Sequence, residues 1–190
     1  MIIYIAGDSW GYSLEKAIYN HLKERPDIEV VDYGIYSKYW DAAHAVGLEV
    51  EKAAITEMPT ANCCSSLINS GAGCASPVRG ILVCGSGQGM CVVANKFRHV
   101  NACLCSSAED AVGCRSVNNS NIITFGCRTT DEATAIAAVD AWLSTSFTQG
   151  LAPNLQELVN ASIGGIAALD FTHTAQRKLA DALPEDSQIA

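Results

Sequence analysis

The chain is short of positive charge. Its 190 residues carry 12 Lys and Arg against 20 Asp and Glu, a net charge of -8 with histidine neutral. That balance speaks against a nucleic-acid-binding surface. No apolar run approaches the ~20 residues that cross a membrane, so no membrane partner is expected. Residues 1–5 read as the start of a strand rather than as a signal peptide, and a cytoplasmic location is expected. The sequence also lacks a disulfide pattern. Its nine cysteines are an odd number, are scattered, and include no C-x-x-C pair. Free thiols in a reducing compartment follow. The four histidines form no Ser-His-Asp series and no metal-ligand spacing, so no histidine-based metal site is expected. There is no internal repeat and no interdomain linker.

What is present is apolar and periodic. Hydrophobic residues make up 49% of the chain, enough for one real core. Short apolar runs at 2–6, 28–32, 81–84, 102–105 and 122–125 read as strands. Helical spacing falls between and after them. It includes Leu14, Ala17, Ile18 and Leu22, a second helix opened by Asp41, and an apolar helix over 131–143. A last helix follows Pro153, with a break expected at Gly164-Gly165. A loop is expected after the second strand, from residue 33 through Gly34. Residues 58–77, rich in Ser, Asn, Gly, Ala and Cys, read as an inserted surface loop. The tail from Pro184 reads as frayed. Strands alternating with helices predict an α/β fold, a five-stranded parallel sheet covered on both faces.

The chain is organised around residues 79–96, RGILVCGSGQGMCVVANK. A strand ends in Cys84, a glycine loop follows, and a helix begins. Backbone N–H groups of such a loop converge on one point and suit an anion. The spacing G-x-G-x-G is neither the dinucleotide fingerprint nor a Walker loop. Cys84 at the mouth of the loop is either a thiolate base or nucleophile, or a small buried hydrophobe. Ser86 either donates to an oxyanion or caps the helix. Asp8 either holds a sugar hydroxyl or caps the first helix. Arg128, just past the fifth strand, suits an anion. In parallel sheets ligands sit at the carboxyl ends of strands, so Asp8, Cys84, Ser106 and residues 126–128 are expected on one rim. His21 reads as solvated.

These pieces resemble the sugar-phosphate isomerase family that includes ribose-5-phosphate isomerase B and galactose-6-phosphate isomerase. The resemblance is carried by Gly7-Asp8, Asp32-x-Gly34, Asp41, the run GILVCGSGQGM at 80–90, and Ala94-Asn95-Lys96. Arg115, Asn118, Asn119, Asn121, Gly126-x-Arg128 and the run VDAWL at 139–143 continue it. It implies a Rossmann-like three-layer α/β/α sandwich that forms a homodimer, or a dimer of dimers, with the active site at the interface. It implies proton transfer between C1 and C2 of an open-chain sugar phosphate, without metal or organic cofactor. By the same resemblance Cys84 is the base, the loop amides and Ser86 hold the enediolate, and Asp8 assists ring opening. Ser9, Gly85, Gly87, Gly89, Asn118 and Arg128 bind substrate, Arg128 through its phosphate.

The departures are specific. Ser9 and Val117 stand where the family has histidines. The run GLAPNL at 150–155 carries none of the family's Arg and His. An isomerase of a sugar phosphate or related sugar derivative is the leading reading. A non-catalytic sugar- or phosphate-binding homologue or regulatory subunit is the alternative. A generic flavodoxin-like binder would explain the sheet but not the Cys-Gly-Ser-Gly run. Residues 1–150 are expected to form the α/β domain. Residues 151–190 are expected to form a helical extension packed on that domain or on the dimer partner.

Overall fold

The computed structural model describes residues 1–56 and 78–168. Five strands form one sheet: β1 (Ile2–Asp8), β2 (Glu29–Tyr36), β3 (Val78–Cys84), β4 (Ala102–Leu104) and β5 (Ile122–Gly126). Their order is β2-β1-β3-β5-β4, and every pairing is parallel. The central strand β3 is buried at all of its positions, as a parallel strand covered on both faces must be. Its side chains alternate between two cores. Ile81 and Val83 face α1 (Tyr12–Lys23), α4 (Ala108–Ser116) and α5 (Glu132–Ser144), with Trp142 fully buried among them. Leu82 and Cys84 face α2 (Tyr39–Thr56) and α3 (Gln88–Ala94). The result is the expected three-layer α/β/α sandwich. No described helix is long and apolar enough to cross a membrane.

Several local expectations are corrected. β2 continues through Asp32 and Gly34 to Tyr36 instead of turning into a loop. Gly34 adopts φ +77, and the register with β1 shifts between Ile5 and Gly7. The strand thus absorbs its glycine as an irregularity. Asp41 lies in the first turn of α2 rather than at its opening, because the helix begins at Tyr39. α6 (Pro153–Ala168) runs unbroken through Gly164-Gly165. Glycine weakens a helix by only ~1 kcal/mol and removes no backbone donor. His21 is not merely solvated: its Nε2 lies 2.8 Å from Asp140 Oδ1, tying α1 to α5. The expected insertion at 58–77 and the tail from Pro184 lie outside the described residues.

A carboxyl is buried on α1. Glu15 on α1 is 1% exposed, and its Oε1 has no hydrogen-bond partner. Burial, then the neighbouring Asp32 carboxylate, push its pKa from 4.5 up to about 7. Asp32 itself accepts from Lys16 Nζ at 3.2 Å and from the Gly34 N–H at 2.6 Å. A raised acid pKa means that the fold prefers the protonated form. The associated stability is full below pH 4.5 and is lost as pH rises through 7. At ~1.4 kcal/mol per pH unit the loss is on the order of 3 kcal/mol. Glu15→Gln should therefore be more stable than the native chain at pH 8, with the gap shrinking toward pH 4.5. Urea melts at both pH values check this; a gap that does not change with pH rules the assignment out.

Candidate active site

The register brings the candidate groups into one row. Gly7 pairs with Val83 and Cys84 pairs with Gly126. Asp8, Cys84 and Gly126 therefore end three adjacent strands at the carboxyl rim of the sheet. β2 and β3 lie on opposite sides of β1, which makes this rim the switch point where such sheets bind ligands.

Close backbone packing shapes the row. A Cβ on Gly11 would lie 2.5 Å from the Val83 carbonyl oxygen, so glycine there lets the β1–α1 turn press against β3. A Cβ on Gly126 would lie 2.5 Å from the Ser86 carbonyl carbon, so glycine there lets β5 touch the loop. Gly87 has φ +73 and would strain any side chain. Its N–H donates to Cys84 Sγ at 3.1 Å, holding the sulfur at the loop mouth. The Cys84 carbonyl accepts from the Cys127 N–H at 2.9 Å, and that of Gly85 from the Arg128 N–H at 3.1 Å.

The side chains divide into occupied and available groups. Asp8 is buried, and its Oδ1 accepts from the Trp10 and Gly11 N–H groups, each at 3.0 Å. Its Oδ2 makes no hydrogen bond among the described residues. Asp8 therefore caps the turn with one oxygen and keeps the other available. Ser86 is exposed and makes no hydrogen bond among the described residues; α3 has no side-chain cap, so Ser86 does not serve as one. Ser9 is exposed as well. Arg128 is exposed, and its guanidinium stacks 4.9 Å from the Trp10 ring centre. A Cβ on Gly85 would meet Arg128 Nε at 3.5 Å and Trp10 Cβ at 3.7 Å, so this pair stands directly over the glycine loop.

One expected member is occupied and another stands apart. Ser106 lies just past the carboxyl end of β4, on the expected rim, but is held by Asp110, whose Oδ2 accepts from its N–H at 2.9 Å and its hydroxyl at 2.7 Å. Asn118 follows the C-terminus of α4 and precedes β5, at the amino end of the strands. A five-residue strand separates the two ends by roughly 13 Å, so Asn118 cannot reach the Cys84 of its own chain.

Sequence reasoning missed Trp10, and it placed Cys127 on the rim without giving it a role. Trp10 is 67% exposed beside the Gly-Asp turn, and an aromatic at a strand's carboxyl end was the available signal. Cys127 donates from Sγ to the Trp10 carbonyl at 3.2 Å. Burial raises its pKa first, and the charges of Asp8 and Cys84 add to the effect. Among the described residues no group of three His, Cys, Asp or Glu forms a metal site.

A thiol, a carboxylate and a guanidinium around a glycine loop, at the switch point of a parallel sheet, define an α/β protein built to receive a small polar ligand. The Ribose/Galactose Isomerase family model matches residues 3–75 and 60–158. The ribose-5-phosphate isomerase B of Escherichia coli (strain K12) is 30% identical over 158 residues, covering 81% of this chain and 91% of that protein. The DNA damage-repair/toleration protein DRT102 of Arabidopsis thaliana is 36% identical over 145 residues, 76% of this chain; the match spans only 40% of the plant protein. A ribose-5-phosphate isomerase B of Mycoplasma genitalium, solved with bound ribulose-5-phosphate, superposes with a TM-score of 0.65 at 29% identity, covering 86% of this chain and 95% of that one. The chain belongs to the Ribose/Galactose Isomerase family, and with it to the aldose–ketose isomerases.

Proposed function

We propose that this chain interconverts an aldose phosphate and a ketose phosphate through a cis-enediolate, with Cys84 as the base. The observation that carries the reading is the position of Cys84. Its sulfur accepts the Gly87 N–H at the mouth of the loop, one strand away from the available oxygen of Asp8. Relatives bearing sugar-phosphate isomerase names support the substrate class.

Asp8 Oδ2 assists ring opening by exchanging a proton with the ring and anomeric oxygens. Cys84 Sγ takes the proton from C2 of the open aldose. The charge that develops on the C1 oxygen faces the loop N–H groups and the Ser86 hydroxyl, fixed donors that need no reorganisation. The O2 proton passes to O1 as Cys84 returns its own proton to C1, and a ketose results. Ser9 and the backbone of Gly85, Gly87 and Gly89 line the sugar, and Arg128, steadied by Trp10, takes the phosphate.

Asn118 serves the site of a second copy. Its distance from its own Cys84 supports that role. So does α6, where Leu155, Leu158 and Ile166 recur at helical spacing and are 43%, 59% and 48% exposed. A homodimer that covers this face with the partner subunit completes each site across the interface; of the expected extension at 151–190, the part beyond 168 lies outside the described residues.

A screen of tetrose, pentose and hexose phosphates for aldose-to-ketose conversion tests the proposal. Conversion of at least one is expected. A folded chain that binds these sugars and converts none of them contradicts it.

A further inference from the structure

Three thiols that the isomerase chemistry does not use meet beneath α4. Cys103 lies in β4 and Cys105 just beyond it, two residues on, so both face the same side of the sheet. Cys114 comes down from α4. The sulfurs of Cys105 and Cys114 are 3.7 Å apart; Cys105 is fully buried and Cys114 is 7% exposed. Cys114 Sγ also lies 3.1 Å from Ser120 Oγ, which accepts from Trp142 Nε1 at 2.8 Å. As a thiol it has the Ala111 carbonyl as acceptor at 3.3 Å.

The surroundings favour charge on one of these sulfurs. Arg79 and Arg115 are each 4% exposed, and neither forms an ion pair with a carboxylate among the described residues. Arg79 donates to the Trp142 carbonyl at 3.2 Å and stacks 4.9 Å from its ring centre. Arg115 donates to Asn119 Oδ1 at 2.7 Å and to the Ser120 carbonyl at 2.8 Å, while its Nε has no partner. The acidic group that favours both buried guanidinium charges is Cys114. Donation from Cys103 and Cys105 lowers the Cys114 pKa in turn and raises theirs. A sulfur whose pKa is lowered thus lies 3.7 Å from one whose pKa is raised, the pairing that disulfide chemistry requires.

We propose that Cys114 and Cys105 form a redox site, in which a hydroperoxide oxidises Cys114 and Cys105 resolves it to a disulfide. The Cys114 thiolate attacks the terminal peroxide oxygen, and the O–O bond breaks. A sulfenic acid forms, and the departing oxygen takes up a proton as water or an alcohol. Cys105 then attacks the Cys114 sulfur, the S–O bond breaks, and hydroxide leaves with the Cys105 proton as water. Two thiols are oxidised by two electrons and one peroxide is reduced. Hydrogen peroxide is close to water in size, which suits a sulfur that is only slightly exposed. The sulfurs close from 3.7 Å to ~2.05 Å, linking α4 to the end of β4. The site is independent of the isomerase reading.

The full chain, reduced and freed of reductant, is treated with hydrogen peroxide, alkylated and cleaved at Glu109 or Asp110, which separates Cys105 from Cys114. The expected product is a linked peptide pair, two hydrogens lighter than its parts, assigned by fragmentation to Cys105 and Cys114 and released by dithiothreitol. In Cys105→Ser the link is lost and Cys114 is labelled by dimedone as a sulfenic acid. Cys105→Ala serves equally if the serine variant does not fold. Full alkylation of both residues after peroxide overturns the proposal, and so does a link that joins Cys114 to Cys103 instead.

Discussion

Cys84→Ser lowers kcat by ~10²–10⁴-fold, the usual cost of removing one general base. The substitution is close to isosteric, and a serine oxygen can still accept the Gly87 N–H that now reaches the sulfur at 3.1 Å. Cys84 sits at the end of a wholly buried strand, with Gly126 of β5 as its register partner, and neither feature depends on sulfur. The fold therefore survives, and the loss falls on chemistry, because an alkoxide is far harder to form than a thiolate. Circular dichroism and steady-state kinetics on the same sample separate the two effects. A variant that keeps native kcat with a native spectrum removes Cys84 from the mechanism.

Ribose 5-phosphate is expected to be a poor substrate. The run GLAPNL at 150–155 supplies no positive charge where the family resemblance leads one to expect Arg and His. A hydrogen bond to a charged group is worth ~1.5–3 kcal/mol, so losing two weakens binding by roughly a hundred-fold to twenty-thousand-fold. The structure narrows what can replace them. Arg115 is buried and committed to Asn119 and Ser120 at the amino end of the sheet. Arg128 is the cation held against the glycine loop. Lys38 lies between β2 and α2, at the carboxyl side, with its Nζ 5.5 Å from the Trp40 ring centre, and it is the next to examine. A kcat/KM for ribose 5-phosphate at or above ~10⁴ M⁻¹s⁻¹ contradicts the expectation. A substrate with its anionic or polar group placed differently is expected to exceed that value.

The sheet was legible because its signals are local. Ile81-Leu82-Val83 reads as a strand buried on both faces, and Gly85, Gly87 and Gly89 mark the loop that follows. Asp131 caps α5, its Oδ1 accepting the Thr134 N–H at 2.8 Å. Strand order depends on pairing between distant segments, and nothing local to β5 says that it lies between β3 and β4. Gly34 and Gly164-Gly165 were misread because glycine permits a break without imposing one. The Glu15 carboxyl, the Trp10–Arg128 stack and the three-thiol cluster each join residues from different elements, so no sequence window contains them. Asn118 was legible as a family match, but its remoteness from the Cys84 of its own chain emerges only from the direction of β5.

The central claim is that a protein-bound base moves a proton between C2 and C1. Incubation of the native chain in deuterium oxide with each aldose phosphate of the panel, followed by proton NMR, tests it directly. The account predicts that a substrate loses its C2 proton signal and yields a ketose with deuterium at C1, at a rate that collapses in Cys84→Ser. Conversion with quantitative retention of the C2 proton at C1 indicates direct hydride shift and contradicts the account. Undiminished exchange in Cys84→Ser contradicts it as well.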